Sequence, residues 1–135
     1  KKFNIKKNKI NILIVGIAFK GIPETNDTRS SASLKLIEAL KRKRYKNIHI
    51  YDSVLNSKDL KKINKNYSLD LQLAVNKSDV IFIMNNNPKN IEFDINQLKD
   101  QRKRLIFDGW FMLDGQSIEK MPNLTYSTMG YVSKS

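Results

Sequence analysis

Ile10-Asn11-Ile12-Leu13-Ile14-Val15-Gly16 decides the fold. All but Asn11 of the first six residues are apolar, most are β-branched, and there is no alternation with polar side chains. A strand reads this way when both sides of its pleat are covered, which is the situation inside a parallel sheet with helices on both faces. Gly16 closes the run. Val80-Ile81-Phe82-Ile83-Met84 repeats the pattern and is broken by Asn85-Asn86-Asn87-Pro88. Shorter strands are predicted at Ile48-His49-Ile50-Tyr51, closed by Asp52-Ser53, and at Leu105-Ile106-Phe107, closed by Asp108-Gly109. A weak fifth strand falls near Leu124-Thr125-Tyr126.

The segments between these strands carry helical signals. Ser30 and Ser31 are N-cap candidates, because a serine oxygen can accept one of the orphan N–H groups of a first turn. Leu34, Ile37 and Leu40, with Ala32 and Leu36 beside them, then mark one face of a helix running to about Arg44. Its last turn, Lys41-Arg42-Lys43-Arg44, suits the negative end of the helix dipole. Ser57 is placed to cap a short helix through Lys62, Leu69 to Val75 suggests another, and Ile95 to Lys99 looks helical. Strand and helix in alternation predict an α/β fold: one domain, an open, mostly parallel Rossmann-like sheet with helices on both faces. It should span residues 10–131, between a basic N-terminal arm at 1–9 and a tail at 132–135.

Composition narrows the chemistry. The 135 residues suffice for one core, and 40% apolar with 28% charged residues is globular composition. With no Cys, disulfides, thiolate metal sites and a thiol nucleophile are excluded within the chain, and a single His excludes a His-rich metal site. No metal ligand set and no catalytic residue is predicted. The 25 Lys and Arg against 13 Asp and Glu give a net charge of +12, which invites an anionic partner. Lysine is abundant throughout, so a solvated surface is the plainer reading of that excess. The basic start followed by the apolar Ile10–Phe19 run has the outline of a secretory leader, but no small-residue cleavage site follows, and the run is too short to span a bilayer. A soluble, cytoplasmic protein without a membrane partner is expected. The first residue is Lys rather than Met, which reads as a piece of a longer protein.

In open α/β sheets ligands bind beyond the carboxyl ends of the strands, so the turns after the strands are informative. Gly16 to Ser31 joins the first strand to the first helix and places Lys20, Arg29 and a helix N-terminus at one edge. That is a serviceable phosphate site, although it lacks the GxGxxG spacing of a dinucleotide fingerprint. Asp52 ends the second strand, where a turn or cap role is favoured over a ribose contact. His49, alone among isoleucines, reads as partly exposed and non-catalytic.

Gly16, Ala18, Phe19 and Lys20, then Thr25, Asp27, Arg29 and Ser31, then Tyr51-Asp52 after an amphipathic helix, resemble the C-terminal domain of the UDP-glucose/GDP-mannose dehydrogenase family. Ser78-Asp79 before an apolar strand, Phe107-Asp108-Gly109, and Tyr126 with Gly130 continue the likeness in the family's order, over about residues 10 to 130. The resemblance implies the UDP-sugar-binding domain of an enzyme that oxidises the C6 hydroxyl of a nucleotide sugar to a carboxylate with NAD, for polysaccharide precursor synthesis. The catalytic Cys and the NAD-binding domain lie outside such a domain, so this chain alone should be inactive. Its partners would be a nucleotide sugar, UDP-linked, and the N-terminal and central domains of the same polypeptide, in a homo-oligomeric parent. By this likeness Phe19 and Lys20 line the substrate site, and Arg29 reaches towards NAD. The family often has Asp-Gly-Arg where this chain has Asp108-Gly109-Trp110. Trp110 cannot form the arginine's bidentate contacts, yet it can stack on a base or sugar face, and it is taken as a substrate residue.

Two other readings compete with this one. A basic nucleic-acid-binding α/β module would cluster cations with exposed aromatics; the densest run, Lys41 to Arg44 with Tyr45, falls at a helix end, so no nucleic-acid partner is expected. A receiver-like regulatory domain needs an acidic pair after its first strand, where this chain has Gly16.

Overall fold

The computed structural model describes residues 7–18, 27–28, 31–128 and the backbone of 131–132. Five parallel strands form the sheet: β1 (Asn11–Val15), β2 (Asn47–Tyr51), β3 (Val80–Ile83), β4 (Arg104–Asp108) and β5 (Leu124–Thr128). A short β6 (Tyr131–Val132) adds antiparallel to β5. The spatial order is β2-β1-β3-β4-β5-β6. The chain therefore moves one way from β1 to β2, then crosses back to place β3 on the other side of β1. That reversal puts a topological switch point between β1 and β3, and open α/β sheets bind ligands beyond the carboxyl ends of their strands at such a point.

Helices α1 (Ala32–Arg42) and α2 (Ser57–Ile63) cover one face of the sheet, and α3 (Leu71–Asn76) and α4 (Gly115–Glu119) the other. Alternate residues of β1 divide between the two cores. Ile12 and Ile14 pack with Ile37, Leu40 and Leu60, while Leu13 and Val15 pack with Leu71, Val75 and Ile106. This double coverage is the physical reason for the unbroken apolar run that predicted the strand. Among the described residues no helix is long and apolar enough to cross a membrane.

Several local features differ from the sequence reading. Ser31 caps α1 as expected, but Ala32 is exposed and Ser33 takes the buried position, because its hydroxyl donates to the Gly16 carbonyl at 2.6 Å. α1 stops at Arg42, two residues early. Arg44 turns to φ 69°, Tyr45 N–H donates to the Leu40 carbonyl and Arg44 N–H to the Lys41 carbonyl, a Schellman-type closure that seats Tyr45 in the core. The cap of α2 is Asn56 and not Ser57; its side-chain oxygen accepts from Asp59 N–H at 2.9 Å. The segment at Ile95–Leu98 is a 3-10 turn.

Arg104, at the first position of β4, is 1% exposed. Its guanidinium is bidentate to Asp100, at 2.9 and 3.1 Å, and donates to the carbonyls of Ser78 and Asn76. A buried cation persists only when paired and hydrogen-bonded in this way. Together with Asp79, which accepts from Arg102 Nε and Asn11 N–H, it fastens the amino ends of β1, β3 and β4.

Candidate functional site

The carboxyl edge is built on two saturated carboxylates. Asp52, just past β2, accepts Ile17 and Ala18 N–H on Oδ2, at 2.8 and 2.9 Å, and Val54 and Leu55 N–H on Oδ1. It is a turn-fixing group, with all its lone-pair directions engaged by backbone donors. Asp108, fully buried at the end of β4, accepts Trp110 N–H on Oδ1 and both Leu113 N–H and the Tyr126 hydroxyl on Oδ2. Its own carbonyl accepts the Thr128 hydroxyl. Both acids shape the edge and leave it without a free carboxylate of their own.

Gly16 stands at the switch point with φ +90°, which an L side chain rarely adopts. A Cβ there would lie 2.8 Å from the Asn85 side chain. The glycine thus lets β3's terminal turn close onto β1: Met84 N–H donates to the Val15 carbonyl at 2.8 Å and Asn85 Nδ2 to the Ala18 carbonyl at 3.3 Å. On the other side the α1 N-terminus is tied down by Ser31 Oγ donating to the Ile17 carbonyl at 2.7 Å. Residues 16–18, which lead into the expected nucleotide loop, are pinned by β2, β3 and α1 together.

Asn85 and Asn87, which the sequence offered only as a break after the third strand, are part of this scaffold, and Asn90, which it did not single out, joins them. Asn85, Asn87 and Asn90 are buried. Asn85 Oδ1 accepts from Asn87 N–H and Asn90 Nδ2, and Asn87 Oδ1 accepts from Lys89 N–H. Asn87 Nδ2 reaches Ser53 Oγ at 3.1 Å, linking the turn after β3 to the turn after β2. Asparagine suits such a position because one side chain both donates and accepts. The signal was the Asn-Asn-Asn-Pro string itself, at the end of a buried strand.

Trp110 lies at this edge, 48% exposed. Its indole Nε1 donates to the Met84 carbonyl at 3.0 Å, which fixes the ring across the ends of β3 and β4 near the switch point. Phe111 next to it, at φ 53°, is also exposed. A half-exposed, hydrogen-bonded indole offers a face for stacking without losing its polar partner. Phe19, Lys20 and Arg29 fall outside the described residues; Ala18, Thr28 and Ser31, which flank them, lie at the carboxyl edge or open α1. His49 is exposed on β2, away from this edge, and burial of part of its ring and the Lys77 charge lower its pKa. Among the described residues no three His, Asp or Glu side chains are grouped to hold a metal ion.

The fold is an open, doubly wound α/β domain with its topological switch point between β1 and β3, the place where sheets of this kind bind ligands. Residues 13–115 match the sequence model described as UDP-glucose/GDP-mannose dehydrogenase family, UDP binding domain. The chain belongs to this family. Among solved structures it is similar in fold to the UDP-N-acetyl-mannosamine dehydrogenase Cap5O from S. aureus, with a TM-score of 0.64 and 18% identity over 89% of this chain. The chain spans 26% of that dehydrogenase. The search of curated proteins found no match.

Proposed function

We propose that this domain holds the nucleotide half of a UDP-sugar, as the substrate-binding part of an NAD-dependent nucleotide-sugar 6-dehydrogenase. The observation that carries this reading is the family match over residues 13–115, whose span contains the pinned β1 turn, Asp52, the asparagine scaffold and the Trp110 platform. In this proposal Trp110 stacks on the base or sugar, and Phe19 and Lys20 reach the substrate from the loop that Gly16–Ala18 launch. Lysine and the α1 N-terminus would meet the diphosphate. Arg29 would reach towards NAD held by a domain outside this chain. The oxidation at C6 would draw its nucleophile from there too, since the chain has no Cys. A homo-oligomeric, cytoplasmic parent supplying polysaccharide precursors completes the proposal.

The test uses Trp110, the single tryptophan, as reporter. UDP and UDP-sugars should quench its fluorescence saturably, with GDP and NAD weaker. Lys20→Ala should weaken UDP by about tenfold, the loss of one charge-assisted contact. NAD bound more tightly than UDP, or NAD reduction by this chain alone, would overturn the reading.

A further inference from the structure

The net charge of this protein is not spread over it. Residues 1–65 hold 17 Lys and Arg against 5 Asp and Glu, whereas residues 66–135 hold 8 against 8. The whole excess of +12 therefore belongs to the half that builds β1, α1, β2 and α2. The fold gathers it further. α1 and α2 run antiparallel to the strands they connect, so both end at the amino edge of the sheet, on the same face. A groove of about 520 Å³ lies between those ends, ringed by Lys41, Lys46, Lys61, Lys62 and Lys65 over a floor that includes Ile48. The segment Lys7–Lys9 is drawn to the same corner: Lys7 Nζ sits 5.4 Å from the Tyr45 ring centroid, and Asn47 Nδ2 donates to the Asn8 carbonyl at 2.7 Å.

Helix-end complementarity does not account for this. Two helix C-termini present roughly half a negative charge each, about one in all, against five lysines. Among the described residues none of the five has a carboxylate ion-pair partner. Against the expectation from the sequence, which saw only a helix end in this cation run, we propose that the groove binds a single-stranded nucleic acid through its phosphate backbone. Lysines are point charges that suit phosphates but read no planar geometry. The one aromatic lining residue, Tyr45, is 4% exposed, so base stacking is absent and the strand is bound without base preference. The groove is concave, a shape that follows a strand more closely than it follows the flat surface of an anionic bilayer. The neutral second half gives a further copy of this chain no complementary charge. The site lies at the opposite end of the sheet from the proposed UDP site, so the two sites stand or fall separately.

The experiment follows binding of a fluorescein-labelled oligothymidylate of about 12 nucleotides, within the site sizes usual for single strands, to the full 135-residue chain by anisotropy over a salt series. Five phosphates neutralised on a single strand predict a slope of log K on log salt of roughly −3.5. Lys61→Glu/Lys62→Glu and Lys41→Glu/Lys46→Glu should each weaken binding at least about tenfold and flatten the slope. Lys99→Glu/Lys120→Glu, two exposed lysines of the neutral half, should leave it unchanged, and a mixed-base strand should bind as oligothymidylate does. Far-UV circular dichroism and urea midpoints at wild-type values show that the groove variants are folded, whatever their response to UDP. The proposal is overturned by absent binding at low salt, by equal losses in groove and control variants, by a base preference, or by vesicles with anionic lipid binding through these lysines while the oligonucleotide does not.

Discussion

Asp52 Oδ2 lies 2.8 Å from the backbone nitrogen of Ile17, and through that bond the end of β2 sets the conformation in which the chain leaves β1. Four backbone N–H groups converge on the two oxygens of this buried carboxylate. An asparagine at 52 can accept on only one side; its amide would face two N–H donors on the other. Asp52→Asn should therefore cost about 2–4 kcal/mol, the desolvation of donors left without an acceptor. Urea unfolding measures this as a lowered midpoint at unchanged m value. UDP affinity should fall as well, because Gly16–Ala18 carry the loop that holds Lys20. A stability within about 0.5 kcal/mol of wild type, ordinary for a surface substitution, would show that the carboxylate is dispensable.

At the other edge of the sheet, acid should release the Arg104 clamp. The hydrogen bond from Arg104 holds the Asp100 carboxyl below the usual carboxylate range, and the neighbouring Arg102 adds to it. A depressed folded-state pKa means stability that is complete above the unfolded value and lost as pH falls through the folded one. Asp100→Asn should lower stability at neutral pH by about 1–2 kcal/mol, the lower part of the range for charged hydrogen bonds because Asp100 is itself partly in water. The gap between variant and wild type should close as the pH is taken below the carboxylate range. Thermal melts of both proteins from pH 7 downward follow it; parallel curves would assign no role to the Asp100 charge.

These two sites differ in how much of them the sequence revealed. β1 and β3 were legible because burial on both faces leaves an unbroken apolar run, and α1 because Ser31 precedes an amphipathic face. Asp52 was legible as a turn residue by its place after a strand. Arg104 was not: a charged residue opening a strand reads as surface, and while Asp100 and the Leu98 carbonyl are near in sequence, the Ser78 and Asn76 carbonyls arrive by tertiary packing. The asparagine scaffold was hidden in part for the same reason: its internal bonds are local, but the contacts that tie it to the β1 and β2 turns, Asn85 to the Ala18 carbonyl and Asn87 to Ser53, arrive by tertiary packing. α4 and β6 escaped because five and two residues are too short to show a period. Charge segregation was readable in the sequence by halves, but only the convergence of the α1 and α2 ends gives it a place.

His49, the single histidine, gives a resolved reporter on the other side of β2. Partial burial, and secondarily the Lys77 charge, push its pKa below the ordinary value. The unfolded chain thus takes up a proton at a pH where the folded one does not, and this site's contribution to stability falls as pH drops from the ordinary histidine range to the lower folded value. The titration of its ring protons by NMR should show a midpoint below that of a model peptide. Lys77→Gln should move the midpoint upward without restoring it fully, because burial is the larger cause. A midpoint unmoved by Lys77→Gln would separate the two charges.

Arg44 closes α1 in the left-handed region, at φ 69°, where a side chain with a Cβ costs roughly 1–2 kcal/mol. The Schellman-type closure makes the position unavoidable: Tyr45 N–H must reach the Leu40 carbonyl at 3.1 Å for the Tyr45 ring to enter the core. Glycine is the residue that adopts this conformation without strain. Arg44→Gly removes a cation that favours the helix end by about 0.3–1 kcal/mol and gives the unfolded chain more freedom. Strain relief is the larger quantity, so the variant should be more stable by about 0.5 kcal/mol, and more clearly so at high salt, where the lost cation counts for less. Arg44→Ala, which keeps the Cβ and loses the charge, should be less stable than wild type. If Arg44→Gly and Arg44→Ala destabilised equally, the charge and not the backbone would govern how α1 ends.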